Sequence, residues 1–131
     1  MKEIVNIIVI IDKKYFLLTR IREGDVWTFP GGKVEDGESK KKAAMRESGE
    51  ELPKVKILKL IPYKVFKGIT PHSKTEGRVS TFFAGITGGI EPGAEIKETI
   101  FSDINFLKKI NLTAISKKII ESLLKDGYLV K

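Results

Sequence analysis

Gly32-Lys33-Val34-Glu35-Asp36-Gly37-Glu38, continued by Arg46-Glu47-Ser48-Gly49-Glu50-Glu51, is the stretch on which the reading of this 131-residue chain turns. A glycine-bearing loop runs into a segment of helix formers that ends in clustered carboxylates. On a helix, Glu47, Glu50 and Glu51 stand at i, i+3 and i+4 and share one face. Three ionised carboxylates on one face repel one another. A hard divalent cation, which prefers oxygen ligands, is their natural compensation. The preceding Phe29-Pro30-Gly31-Gly32 turn lets bare backbone approach whatever the carboxylates hold.

Working outward, residues 4–11 and 15–21 are β-rich runs split by Asp12-Lys13-Lys14, which reads as a hairpin. Residues 22–25 read as a polar loop and 26–29 as a short strand entering the Pro-Gly-Gly turn. The helix starts at Glu38 or Ser39, with Ser39 as N-cap, and runs to about Leu52. Residues 55–67 suggest strand interrupted near Pro62, then a polar loop over 68–77, a strand over 79–86, a long acidic loop over 87–98 and a short strand over 99–101. Residues 113–126 form an amphipathic helix with Ile115, Ile119, Ile120, Leu123 and Leu124 as its stripe, closed by Gly127. Strands with one mid-chain and one terminal helix predict an α+β fold: a mixed β-sheet between helices, in one domain over residues 1–131.

The composition agrees with a packed domain, at 41% hydrophobic and 31% charged residues. The chain has no cysteine, which removes disulfides and thiolate metal sites and fits a cytoplasmic protein. The net charge of +7 reads either as a solvated lysine-rich surface or as attraction to phosphates. The apolar run at 4–11 is too short to span a bilayer, so no membrane partner is expected. Nucleic acid is not expected as a partner, because no RNA-binding motif or aromatic-rich platform is recognisable.

Gly32, Glu38, Arg46, Glu47, Glu50 and Glu51 resemble the signature box of the Nudix hydrolases, G-x5-E-x7-R-E-U-x-E-E-x-G-U with U aliphatic. The lead-in from Trp27 to Glu35 resembles the run that precedes that box. Pro53 replaces the second glycine, and Ser48 and Lys54 stand at the aliphatic positions. The resemblance implies the family's α/β/α sandwich and a metal-dependent pyrophosphohydrolase. Its substrate would be a nucleoside diphosphate linked to another group, with a nucleoside triphosphate or related small nucleotide as first expectation. The departures keep a non-catalytic nucleotide-binding or regulatory module as the alternative. The resemblance further implies Mg2+, or Mn2+ on the same oxygen ligands, held by Glu50, Glu51 and the Gly31 carbonyl. Glu47 would act as base or further metal ligand, with Arg46 orienting the glutamates and Glu38 supporting the network. A later acid completes the site in many members; Glu98 is favoured here, then Glu95, then Asp103. Arg20, Arg22, Lys33 and Arg78 are candidate phosphate contacts. Trp27 is either core or a base-stacking surface, and His72, the sole histidine, lies in a polar loop. Many family members are dimers, so a homodimer is compatible with the resemblance.

Overall fold

A computed structural model describes residues 2–21, 24–69, 75–93 and 95–131. The strands are β1 (Lys2–Ile8), β2 (Ile10–Ile11), β3 (Tyr15–Ile21), β4 (Trp27–Thr28), β5 (Gly31–Lys33), β6 (Val55–Ile69), β7 (Glu76–Gly88) and β8 (Ile96–Ser102). The helices are α1 (Lys40–Glu51) and α2 (Ala114–Lys125), with a 3-10 turn at Phe106–Lys109. One sheet has the order β5-β1-β7-β6. It is mixed, because β1 runs parallel to β7 and antiparallel to β5. In a second, antiparallel sheet, β3 pairs with β8 along one edge and with β2 and β4 along the other.

The period-2 alternation of β1 makes the sandwich. Val5 and Ile7 join Val9, Leu17, Phe82, the α1 residues Ala43 and Ala44 and the C-cap Leu52 in one core. Ile4 and Ile8 face the other way, onto a second core filled by Phe16, Phe29, Val79 and the α2 stripe Ile115, Ile119, Ile120 and Leu123. The mixed sheet therefore lies between the two helices, as the sequence predicts. Each helix is capped on schedule: Ser39 Oγ accepts from Lys42 N–H at 3.1 Å, and Thr113 Oγ1 accepts from Ser116 N–H at 3.2 Å.

Four local expectations are corrected, and the first is that the acidic loop read over 87–98 gives way to β8 at Ile96. Residues 55–69 form one strand across Pro62. β6 is the edge strand, so the absent proline N–H costs no central ladder bond, and a register shift between Pro62 and Val65 absorbs the irregularity. The β6–β7 pairing extends to Ile69 and Glu76, into the stretch read as polar loop. Gly31 and Gly32, read as the end of a turn from Phe29, form with Lys33 a strand against β1. Gly31 sits there at φ +151°, and a Cβ would run into the Val5 carbonyl oxygen.

Ile119 is fully buried and Leu58 is 64% exposed. Ile119→Ala is expected to cost about 2–5 kcal/mol in denaturant unfolding, whereas Leu58→Ala stays within about 0.5 kcal/mol. Equal effects would contradict the assigned α2 core.

Candidate active site

α1 turns Ala43, Ala44 and Ser48 into the core. That rotation directs Arg46, Glu47 and Glu51 toward the Gly31–Gly32 backbone of β5. The approach is close. A Cβ on Gly32 would stand 2.5 Å from Glu47 Oε1 and 2.6 Å from its Oε2. The Gly31 N–H donates to Glu51 Oε1 at 3.0 Å.

Arg46 is the hub. Its Nε donates to Glu38 Oε2 at 2.8 Å and a terminal nitrogen donates to Glu38 Oε1 at 3.0 Å, a two-pronged contact. The same terminal nitrogen donates to the Lys33 carbonyl at 2.9 Å. The other donates to Glu47 Oε1 at 2.9 Å and reaches Glu50 Oε2 at 3.4 Å. Glu35 also pairs with Nε, at 3.1 Å. The Arg46 contact holds the Glu38 carboxyl down at about 2, while the carboxylates keep Arg46 firmly protonated.

Glu51 is the opposite case. Burial pushes its carboxyl up to about 8, against the Gly31 N–H and with the charges of Glu47, Glu50 and Glu95 adding to the rise. Burial also raises Glu47, opposed by Arg46. Among the described residues, no three acidic or histidine side chains converge as they stand into a cation cage. The donor chemistry nevertheless fits a hard cation: carboxylate and backbone oxygens, no thiolate, and a buried carboxyl whose ionised form a positive charge would stabilise.

Of the three later acids considered, Glu95 is the one that lines a cavity beside the carboxylates. That cavity, of about 290 Å³, is rimmed by Lys2, Lys33, Glu47, Glu51 and Glu95, with Ile4, Phe29, Val79 and Ile115 among its apolar walls. The segment before Glu95 is tied to the end of α1. Gly93 N–H donates to the Glu51 carbonyl at 2.9 Å, Lys54 Nζ pairs with Glu91 at 3.1 Å, and Gly93 packs so tightly on Pro53 that an added Cβ would lie 2.7 Å from the ring.

Of the residues singled out from sequence, Gly31, Lys33, Arg46, Glu47, Glu50 and Glu51 come together at the β5–α1 junction. Glu98 does not line this cavity. It lies inside β8, directly opposite Arg20, and the two side chains form an ion pair. Arg20 also pairs with Asp25 at 2.7 Å and packs over the Trp27 ring at 5.7 Å, so it too is engaged away from the cavity. Asp103 accepts from Phe106 N–H at 2.9 Å and caps the 3-10 turn. Arg78 pairs with Glu3 at 3.4 Å and is not among the cavity's lining residues. Trp27 is 7% exposed and belongs to the core. Arg22 and His72 lie outside the described residues. Sequence reasoning passed over Lys2 and Asn6. Asn6 carried a signal, as the lone polar residue between Val5 and Ile7 in an apolar run.

The sandwich, with this carboxylate helix laid against the Gly31–Gly32 backbone of β5, defines the Nudix class of hydrolases. The NUDIX domain model matches residues 2–123, and the chain belongs to the Nudix hydrolase family. It is 28% identical to an RNA pyrophosphohydrolase of a Nitratiruptor species, across 88% of this chain and 84% of that protein. It is 34% identical to a putative 8-oxo-dGTP diphosphatase of Bacillus subtilis, across 63% of this chain and 52% of that protein. Its fold superposes on the mutator MutT protein of Bacillus halodurans with a TM-score of 0.77 at 22% identity, covering 98% of this chain and 86% of that one. No helix among the described residues is long and apolar enough to cross a membrane.

The raised Glu51 carboxyl makes the metal-free protein pH-sensitive. Its folded value of about 8 exceeds the usual 4.5, so its stabilising contribution is complete below about pH 4.5. That contribution is lost as pH rises toward 8, because the unfolded chain ionises first. Glu51→Gln keeps an acceptor for Gly31 N–H and cannot ionise. In EDTA at pH 8.5 it should melt roughly 5 °C above the parent, with the gap closing at pH 5. Parallel melting curves at both pH values would contradict the buried carboxyl.

Proposed function

We propose that this protein is a metal-dependent pyrophosphohydrolase that cleaves a phosphoanhydride bond of a small nucleotide, with nucleoside triphosphates as the first substrates to test. The observation that carries the reading is that Glu47, Glu51 and Glu95 line, with the Gly31–Gly32 backbone, one cavity whose remaining walls are largely apolar. Family membership supports the chemistry. The relatives' names, RNA pyrophosphohydrolase and putative 8-oxo-dGTP diphosphatase, both describe hydrolysis at a diphosphate linkage and support a nucleotide substrate. The cysteine-free composition favours the cytoplasm, where such nucleotides are abundant.

Mg2+ or Mn2+ would be held by Glu50, Glu51 and the Gly31 carbonyl, with Glu95 completing the oxygen set and Glu47 kept free as base. Such a cation would supply charge neutralisation for the diphosphate and would make water easier to deprotonate. Glu47 Oε takes the proton of the attacking water. Its burial raises its basicity toward that task, and Arg46 fixes its other contacts. Lys33 and Lys2, at the rim, offset the phosphate charge. The apolar walls from Ile4 to Ile115 receive the nucleoside and exclude water from it.

The test is product chromatography over a panel of nucleoside triphosphates, nucleotide sugars and dinucleoside polyphosphates with Mg2+ or Mn2+. Glu47→Gln and Glu51→Gln should each lose about a hundredfold or more in kcat while staying folded. Unchanged turnover in both would sink the reading. Glu95→Gln should fall about tenfold to a hundredfold, whereas Glu98→Gln should change kcat less than about threefold. The reverse order would restore Glu98 as the loop acid. Gly32→Ala should leave the melting temperature within about 3 °C, because only the end of the Glu47 side chain must move. Its kcat should fall about a hundredfold, since that end is the reacting carboxylate; full activity would show that Glu47 reacts from another position.

A further inference from the structure

Asn6 is 6% exposed and stands on β1, in register with Gly31 of β5. It is a polar side chain in an apolar strand, and it lines the cavity beside the carboxylates. Its Nδ2 points at backbone. It donates to the Val5 carbonyl at 3.1 Å and lies 3.3 and 3.4 Å from the Phe29 and Pro30 carbonyls. Three carbonyl oxygens around one end of the amide determine its orientation, because a flipped amide would set Oδ1 against all three. Asn6 therefore has only an acceptor left to offer. Its Oδ1 takes part in no hydrogen bond among the described residues, and it is not one of the fully enclosed polar atoms left without a partner.

The neighbouring hydroxyl at Thr113 is already committed. It lines the cavity but donates to Ser116 Oγ at 2.8 Å. Ser116 Oγ in turn accepts from Phe29 N–H at 3.3 Å. A ligand carbonyl placed beside Asn6 would thus meet an acceptor and a spent donor. A ligand amine would find the unpaired Asn6 Oδ1 on the apolar side of the cavity, where Ile4, Val79 and Ile115 would shield that bond from water.

We infer that Asn6 is a specificity residue whose Oδ1 accepts from the exocyclic amine of a nucleobase, so that the cavity selects amino-bearing bases over their amine-lacking counterparts. The inference rests on the reading of this cavity as a nucleotide site. A hydrogen bond to a buried acceptor discriminates strongly because the wrong ligand leaves that acceptor unpaired. The amide also ties β1 to the Phe29-Pro30 turn, which is a structural duty, and the test must separate the two.

Matched pairs do so. Wild-type protein is titrated calorimetrically with AMP against purine riboside 5′-monophosphate, GMP against IMP, and CMP against UMP, none of which requires hydrolysis. kcat/KM is then measured for the corresponding triphosphates in wild type, Asn6→Leu and Asn6→Thr. In at least one pair the amino member should bind about tenfold to a hundredfold tighter, with a similar ratio in kcat/KM. That ratio should fall toward one in whichever variant folds. Selective binding without turnover would uphold the inference while rejecting the hydrolase reading. Equal binding within every pair would overturn it. So would a ratio that persists in the variants, even if all substrates weaken together, because that pattern belongs to the turn-holding duty alone.

Discussion

The guanidinium of Arg46 is the tie on which the rest of the site depends. A planar cation with five donors reaches a loop, a strand and its own helix at once. Glu38 belongs to the segment before α1, the Lys33 carbonyl to β5, and Glu47 and Glu50 to α1. Lysine would supply the charge but not the fork. Without that tie, the acidic side chains at the junction would crowd together with the Gly31 and Glu35 N–H groups as their backbone donors. The division of labour among the glutamates follows. Glu38, gripped by two nitrogens, stays ionised far into acid, while Glu51, turned away from Arg46 and buried, does not.

The fold and the charged centre were legible because they are written in local spacing. The i, i+3, i+4 carboxylates, the Ser39 cap and the α2 stripe each specify their element within a dozen residues, and observed helix bounds fall within two residues of expectation. The errors lie where partners are distant in sequence. Glu98 looked like a loop acid because Pro92-Gly93 and its acidic neighbours read as an extended loop. Pairing with Arg20, 78 positions away, makes it part of a strand. Gly31–Lys33 has poor strand propensity and becomes a strand only because β1 provides a ladder. Pro62 looked like a break because the sequence does not reveal which strand is the edge.

The departures from the family pattern acquire physical sense in the same way. Ser48, small and 3% exposed, fits under the sheet where an aliphatic residue is usual. Pro53 and Lys54 fall outside α1 and face the segment that delivers Glu95. Pro53 packs on Gly93, and Lys54 holds Glu91. Together with the bond from Gly93 to the Glu51 carbonyl, they couple that segment to the helix terminus that carries Glu51. The changes replace one packing solution with another and leave every charged position of the box in place.

The chain beyond α2 carries a consequence for anyone who shortens it. The family match stops at residue 123, yet Gly127 at φ +80° turns the chain back so that Tyr128 and Leu129 N–H groups meet the Leu123 carbonyl. Leu129 is 1% exposed within the α2 core, and Val130 N–H bonds to the Lys13 carbonyl across the first hairpin. The packed core therefore extends past the border of the family match. Eight residues that a family-based trim would discard act as a latch, fastening the last helix to the first turn of the protein.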